Sequence, residues 1–148
     1  MIYLHKTNIM SEEIEIKPVA ELPKVVKQII VMRKDLKIRR GKEIAQGSHA
    51  SIMWLVKRVR RSLLIAPYFN DEEESWMGGK FTKICVQAKD ESELMEVYNN
   101  AIAAGLEAHL ITDAGLTEFH GVPTKTCCAI GPHYEDKLKH ITGHLSLY

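Results

Sequence analysis

The side chains in this chain that could do acid–base or electrostatic work are few, and three share one helical ridge. Lys42, Gln46 and His49 recur at intervals of four and three residues, which on a helix turning about 100° per residue stacks them on one side. Gly41-Lys42 stands where that helix begins, and the free N–H groups of a helix start favour anions. Much further along, Asp113 follows an apolar run and enters a turn of small residues, Asp113-Ala114-Gly115, with Thr117, Thr124 and Thr126 flanking it. In an α/β sheet, sites collect at the carboxyl ends of strands. Each residue also has an ordinary reading. Asp113 suits a turn former, His49 a half-buried helix residue bonded to backbone, Lys42 a solvated charge, and the threonines simple strand positions. None of these signals is specific in isolation.

The common catalytic signatures are missing. The sequence holds no G-x-x-x-x-G-K-[ST], no G-x-G-x-x-G after a strand, no G-x-S-x-G and no H-E-x-x-H. Seven histidines are scattered without ligand spacing on one element, so no protein-bound metal is expected. Cys85, Cys127 and Cys128 form an odd set without zinc-site spacing and read as small buried hydrophobes.

The elements that must position these residues follow from pattern. With 148 residues, the chain fits one domain. Residues 1–23 are polar, aperiodic and interrupted by Pro18 and Pro23, and read as an N-terminal tail before a domain spanning 24–148. The β-branched run Val25–Met32 predicts a buried strand. A basic loop follows, and Gly41 opens a helix to about Arg61, with Ile44, Ala45, Ser48, Ile52, Leu55, Val56 and Val59 as its expected buried face. Residues 67–79 read as a connection with a short helix. Phe81–Gln87 predicts a second strand, Glu91–Ala104 a helix, Ala108–Thr112 and Lys125–Ile130 two further strands, and Tyr134–Ile141 a terminal helix. The fold class is α/β: a single domain with about four strands in a mixed sheet flanked by helices. The helical crossovers point to parallel pairing, and the short link between strands three and four to an antiparallel member.

Charge narrows the partner. The net charge is only +1, yet residues 24–61 hold twelve Lys or Arg against two acids, a net +10, while the remainder carries −9. Such asymmetry suits a polyanion on one side, with a solvated surface as the bland alternative. No apolar run is long enough for a membrane span. The N-terminus lacks the charged-then-apolar plan of a signal peptide, so a cytoplasmic protein is expected.

Taken together, several segments resemble the type 2 (archaeal-eukaryotic) peptidyl-tRNA hydrolase family. They are Arg33-Lys34-Asp35-Leu36-Lys37, the run Arg40 to Ala50, Leu110-Ile111-Thr112-Asp113-Ala114-Gly115, Ala129-Ile130-Gly131-Pro132, and Ile141-Thr142-Gly143-His144-Leu145. The resemblance covers about Lys27 to Tyr148, and several motifs in register are far more specific than any one. It implies a four-stranded mixed sheet, often a homodimer, no metal or organic cofactor, and peptidyl-tRNA as substrate. By motif position it implies catalytic roles for Lys42, His49, Asp113, Thr117 and Thr126, with Gln46 and Ser48 nearby. Leu116 departs from the family's usual basic residue, and Gly121-Val122-Pro123-Thr124 from its Gly-Pro-Gly-Thr loop, which leaves Thr124 and Thr126 competing for one role.

Ester hydrolysis needs an oriented water, a stabilised oxyanion and a protonated leaving hydroxyl. On this reading Asp113 orients or partly deprotonates the water, helped by burial that raises its pKa. Lys42 and the helix start stabilise the oxyanion or the terminal phosphate, His49 assists proton transfer, and Thr117 fixes the Asp113 carboxylate. The expected tRNA contacts are Lys37, Arg39, Arg40, Gln46, Lys57, Arg58, Arg60 and Arg61. Two rivals stand beside the enzyme. One is a non-catalytic tRNA- or RNA-binding module. The other is an interaction protein that docks a partner through Asp71 to Glu74 and Trp76.

Overall fold

The computed structural model describes residues 24–62 and 66–148. The expectation of a tail at residues 1–23 lies outside the described residues. The elements run β1 (Val26–Arg33), α1 (Arg40–Arg61), α2 (Asp71–Gly78), β2 (Lys83–Ala88), α3 (Glu91–Ala103), β3 (Ala108–Asp113), β4 (Thr124–Tyr134) and α4 (Glu135–Thr142). They form one four-stranded sheet in the order β2-β1-β4-β3.

β1 is apolar on both faces, as a strand covered from both sides must be. It pairs parallel with β2 and antiparallel with β4, which in turn pairs antiparallel with β3. The first crossover thus yields the parallel pair expected. The second does not, because β4 inserts between β1 and β3 and leaves β2 and β3 at opposite edges, co-directional but unpaired. β4 is also longer than expected, since its apolar run continues through Gly131-Pro132 to Tyr134.

Side chains of alternating strand residues feed two cores. Val31, Val86, Cys128 and Ile130 pack with Leu94, Val97 and Ala101 of α3 and Leu138 of α4. On the opposite face Met32, Ile111, Cys127 and Ala129 pack against Ala50 of α1. Trp54 and Trp76 meet edge to face with ring centroids 6.2 Å apart, closing a third cluster with Val26. Burial of the two adjacent cysteines is as expected, but Cys85 is exposed on the edge strand β2.

The face of α1 requires correction. Its buried residues are Gln46, Gly47, Ala50 and Trp54. The apolar stripe expected to be inside points outward: Ile44 is 69% exposed, Ile52 52% and Val59 50%. The physical reason is close approach. A Cβ on Gly47 would meet Met32 Sδ at 3.6 Å and Ile30 Cγ2 at 3.8 Å, so the helix lies on the sheet through its small residues. The larger aliphatic residues Ile44, Ile52 and Leu55 instead border an open apolar cleft beside Ile30, Met32 and Cys85 of β1 and β2.

The acid run is also explained. Asn70 caps α2, accepting the Glu73 N–H while the Glu73 carboxylate accepts the Asn70 N–H. Acidic side chains in a first helical turn face its positive end favourably.

Candidate functional site

β1 and β3 run the same way, so their carboxyl ends lie on one rim of the sheet, and antiparallel β4 starts there. α1 begins after β1, Asp113 is the last residue of β3, and Thr126 lies near the start of β4. Topology therefore gathers residues distant in sequence.

The gathering is close. Lys42 Nζ lies 2.5 Å from Asp113 Oδ2, and both side chains are largely covered, 15% and 13% exposed. Lys42 also donates to Thr117 Oγ1 at 3.1 Å and sits over the Phe119 ring. Gln46 Nε2 donates to the same Asp113 oxygen at 3.0 Å, and the Gly115 N–H donates to Asp113 Oδ1 at 2.8 Å. Thr126 Oγ1 donates to Gln46 Oε1 at 2.6 Å. Lys42, Gln46, Asp113, Thr117 and Thr126 thus form one connected network.

Thr126 reaches this network through a break in the sheet. The β3–β4 register jumps between Ile111, opposite Cys127, and Thr112, opposite Lys125. Thr126 is the extra residue of a bulge, a device common beside active sites. In a regular strand Thr126 and Cys127 would face opposite ways. Here both contact Gln46: Thr126 through its side-chain oxygen and Cys127 Sγ by donating to its carbonyl. Thr124, the competitor for the same role, donates to Val122 O and takes no part.

The charge state of Asp113 reverses the expectation. Its hydrogen bond with the Lys42 ammonium, joined by the bonds from Gly115 and Gln46, holds its carboxyl below the usual range and outweighs the opposing effect of burial. Asp113 is a stabilised carboxylate, not a base tuned towards neutrality.

Other expected residues are placed differently. His49 is exposed and makes no hydrogen bond among the described residues. The Ser48 hydroxyl donates to Ile44 O within the helix. Lys37, Arg40, Lys57, Arg60 and Arg61 are exposed. Arg39 is 84% exposed, with its Nε and N–H on the Glu118 carboxylate. Arg58 is engaged within the protein. Its guanidinium grips Glu73 with two bonds, at 2.9 and 2.7 Å, and also donates to Tyr68 O, so it tethers α2. Gln46 is 3% exposed and turned to Asp113.

The interaction reading loses Glu72, Glu73 and Trp76 and keeps only Asp71 and Glu74 exposed. Trp76 is 3% exposed and Glu73 2%. Glu72 accepts from the Tyr134 N–H and pairs with Lys137. Sequence reasoning missed the Gly115 N–H, which bonds the Asp113 side chain two residues back and is signalled locally by the Asp-Ala-Gly turn. It also missed Glu118, whose partner Arg39 lies far away in the chain and leaves no local signal. Among the described residues no three His, Cys, Asp or Glu side chains converge as a metal site would require.

These features define a small mixed-sheet α/β protein with a lysine-paired carboxylate on the rim of its sheet and a basic flank beside it. The model of the family described as peptidyl-tRNA hydrolase PTH2 matches residues 26–148, and the chain belongs to that family. It is 38% identical over 122 residues to a peptidyl-tRNA hydrolase of Methanocaldococcus jannaschii, covering 82% of this chain and 99% of the relative. It is 39% identical over 121 residues to the Methanopyrus kandleri peptidyl-tRNA hydrolase, covering 82% and 97%. A Bos taurus protein named peptidyl-tRNA hydrolase 2, mitochondrial, is 36% identical over 122 residues, covering 82% of this chain and 64% of the relative.

Proposed function

We propose that the Lys42–Asp113 pair is the centre at which this family member hydrolyses the ester between a peptide and tRNA. The activity itself is that of a peptidyl-tRNA hydrolase, an ester hydrolase. The observation that carries the site is the 2.5 Å contact between two covered, oppositely charged groups 71 residues apart.

Oδ2 of Asp113 is occupied by Lys42 and Gln46, and Oδ1 by the Gly115 N–H. A carboxylate has about four acceptor positions, so Oδ1 retains one with which to orient the attacking water. An ammonium has three donors. Asp113 and Thr117 take two of those on Lys42, and the third is available to the developing oxyanion. Gln46 and Thr126 are positioning residues that hold the carboxylate still, and Thr117 holds the lysine. His49 stands outside this network, on the same ridge.

The tRNA-binding set is Lys37, Arg39, Arg40, Lys57, Arg60 and Arg61. Lys42, Lys57 and Arg60 fall on neighbouring rows of α1, a ridge roughly 27 Å long at 1.5 Å per residue. A polyanion laid along it places its end at the Lys42–Asp113 pair. The outward aliphatic stripe of α1 supports a homodimer, because two such stripes would bury each other. Three free cysteines suit a reducing compartment, and we take the cytoplasm as the location.

The test is to mix purified protein with N-acetylated aminoacyl-tRNA and follow ester loss, alongside Asp113→Ala. The variant should be slower by roughly 100-fold or more, the scale of a lost acid–base group. Near-normal turnover would remove Asp113 from catalysis. Binding of tRNA without cleavage would favour the non-catalytic module.

A further inference from the structure

We infer that Leu116 and Val122 form an apolar lip for the side chain of the amino acid esterified to tRNA, which makes them specificity-determining residues. The inference rests on the reading of the Lys42–Asp113 site given above.

Leu116 is 85% exposed and Val122 61%. Neither belongs to a loose segment. Gly115 between Asp113 and Leu116 is buried with φ +82°, and a Cβ on it would lie 2.3 Å from Val122 O. Backbone packs directly on backbone there, so Leu116 and Val122 stand on either side of one tight contact. The Gly121 N–H donates to Gly115 O at 2.8 Å and the Val122 N–H to Phe119 O at 2.9 Å. Thr124 Oγ1 bonds Val122 O at 2.9 Å, and Glu118 is tied to Arg39. A loop fixed at this many points has no freedom to fold its two aliphatic side chains inward.

Their position gives the exposure a use. Leu116 lies between Gly115, which donates to Asp113, and Thr117, which accepts from Lys42. An aliphatic side chain held rigidly beside reacting groups discriminates by apolar contact. The cations that suit phosphate lie along α1. Leu and Val offer neither a charge nor a flat ring on which a base could stack. The part of the substrate that varies next to the scissile ester, and is apolar in many cases, is the amino acid side chain.

The experiment charges one tRNA body with either N-acetyl-leucine or N-acetyl-glycine and compares kcat/KM for the two. The wild-type protein should favour the leucyl substrate by roughly fivefold to twentyfold, a fraction of what an enclosed apolar pocket achieves. Leu116→Ser and Val122→Ser should each lower that leucyl-to-glycyl ratio at least threefold. Thermal midpoints within about 2 °C of wild type would exclude a folding defect as the cause. A wild-type ratio near one overturns the inference. So does a ratio unchanged in both variants, since an equal loss on both substrates places the contact on the shared tRNA end. If the wild-type protein cleaves neither substrate, the hydrolase reading fails with it, a result distinct from indiscriminate cleavage.

Discussion

Thr126 donates its hydroxyl to Gln46 Oε1 at 2.6 Å, and this single bond decides which end of the Gln46 amide faces Asp113. With the oxygen engaged, the NH2 group is the one that reaches the carboxylate at 3.0 Å. Thr126→Val keeps the volume and removes the donor, leaving a buried carbonyl oxygen without its partner. Such a loss costs about 1–3 kcal/mol of stability. The freed amide could then turn its oxygen towards Asp113, where it would repel the carboxylate. We expect kcat to fall about tenfold with KM little changed. Urea unfolding and steady-state kinetics check the two halves separately, and a variant with wild-type kcat would show that the amide needs no such anchor.

The lowered pKa of Asp113 sets the acid side of the pH profile. Its folded value lies below the usual carboxylate range, chiefly because of the hydrogen bond from Lys42. The ion pair therefore contributes fully above the unfolded value, and the contribution is lost only as pH falls through the lower folded one. Between pH 5 and 7, kcat/KM should show no acid limb attributable to Asp113. In Lys42→Met the main cause of the lowering disappears while the raising effect of burial and the weaker lowering by Gly115 and Gln46 remain, so any limb in the residual activity should move upward. Profiles of the two proteins check this. A wild-type acid limb that vanishes in His49→Ala would reassign the acid–base role to the exposed histidine.

Much of this site was legible in the sequence, and the missing parts share one character. Strand runs and helix periods placed Lys42 at a helix start and Asp113 at a strand end, because those signals depend on neighbours in the chain. The rim that joins them also followed from alternating strands and helices. The bulge at Thr126 was not legible, since it is a relation between β4 and β3 and neither strand betrays it alone. The period of α1 was right and its orientation wrong. Periodicity finds an apolar stripe but says nothing of whether the sheet or a second surface covers it, and Gly47 and Ala50 decided for the sheet. Arg58 looked like its neighbours Arg60 and Arg61 until Glu73, 15 residues away, claimed it.

That difference among the arginines is testable. Glu73 is 2% exposed and loses its charge partner in Arg58→Ala, so this variant should be destabilised by about 2–3 kcal/mol. Arg60→Gln and Arg61→Gln alter exposed charges and should leave stability within about 0.5 kcal/mol. Their effect should instead appear in tRNA binding, where each lost phosphate contact reduces the slope of log affinity against log salt by roughly 0.7–0.9. Denaturation curves and binding titrations at several salt concentrations distinguish the classes. An unchanged slope in the double variant would take Arg60 and Arg61 out of the interface.

The outward stripe of α1 gives the remaining prediction. Ile44, Ile52 and Val59 are each at least half exposed, and Val56 is 38% exposed. Aliphatic residues along one line of a helix are costly to leave in water at roughly 25 cal/mol per Å², and a second copy presenting the same line would relieve both. A charge placed within such an interface lacks a partner and cannot be buried cheaply. Ile52→Lys combined with Val56→Lys should therefore convert a two-chain particle into a single chain, read by light scattering coupled to size exclusion. Ile52 and Val56 lie roughly 15 and 21 Å along the helix from Lys42 at 1.5 Å per residue, so the monomer should retain hydrolysis within about threefold while the particle halves in mass. A wild-type protein that elutes as one chain at every concentration would leave the stripe without this role.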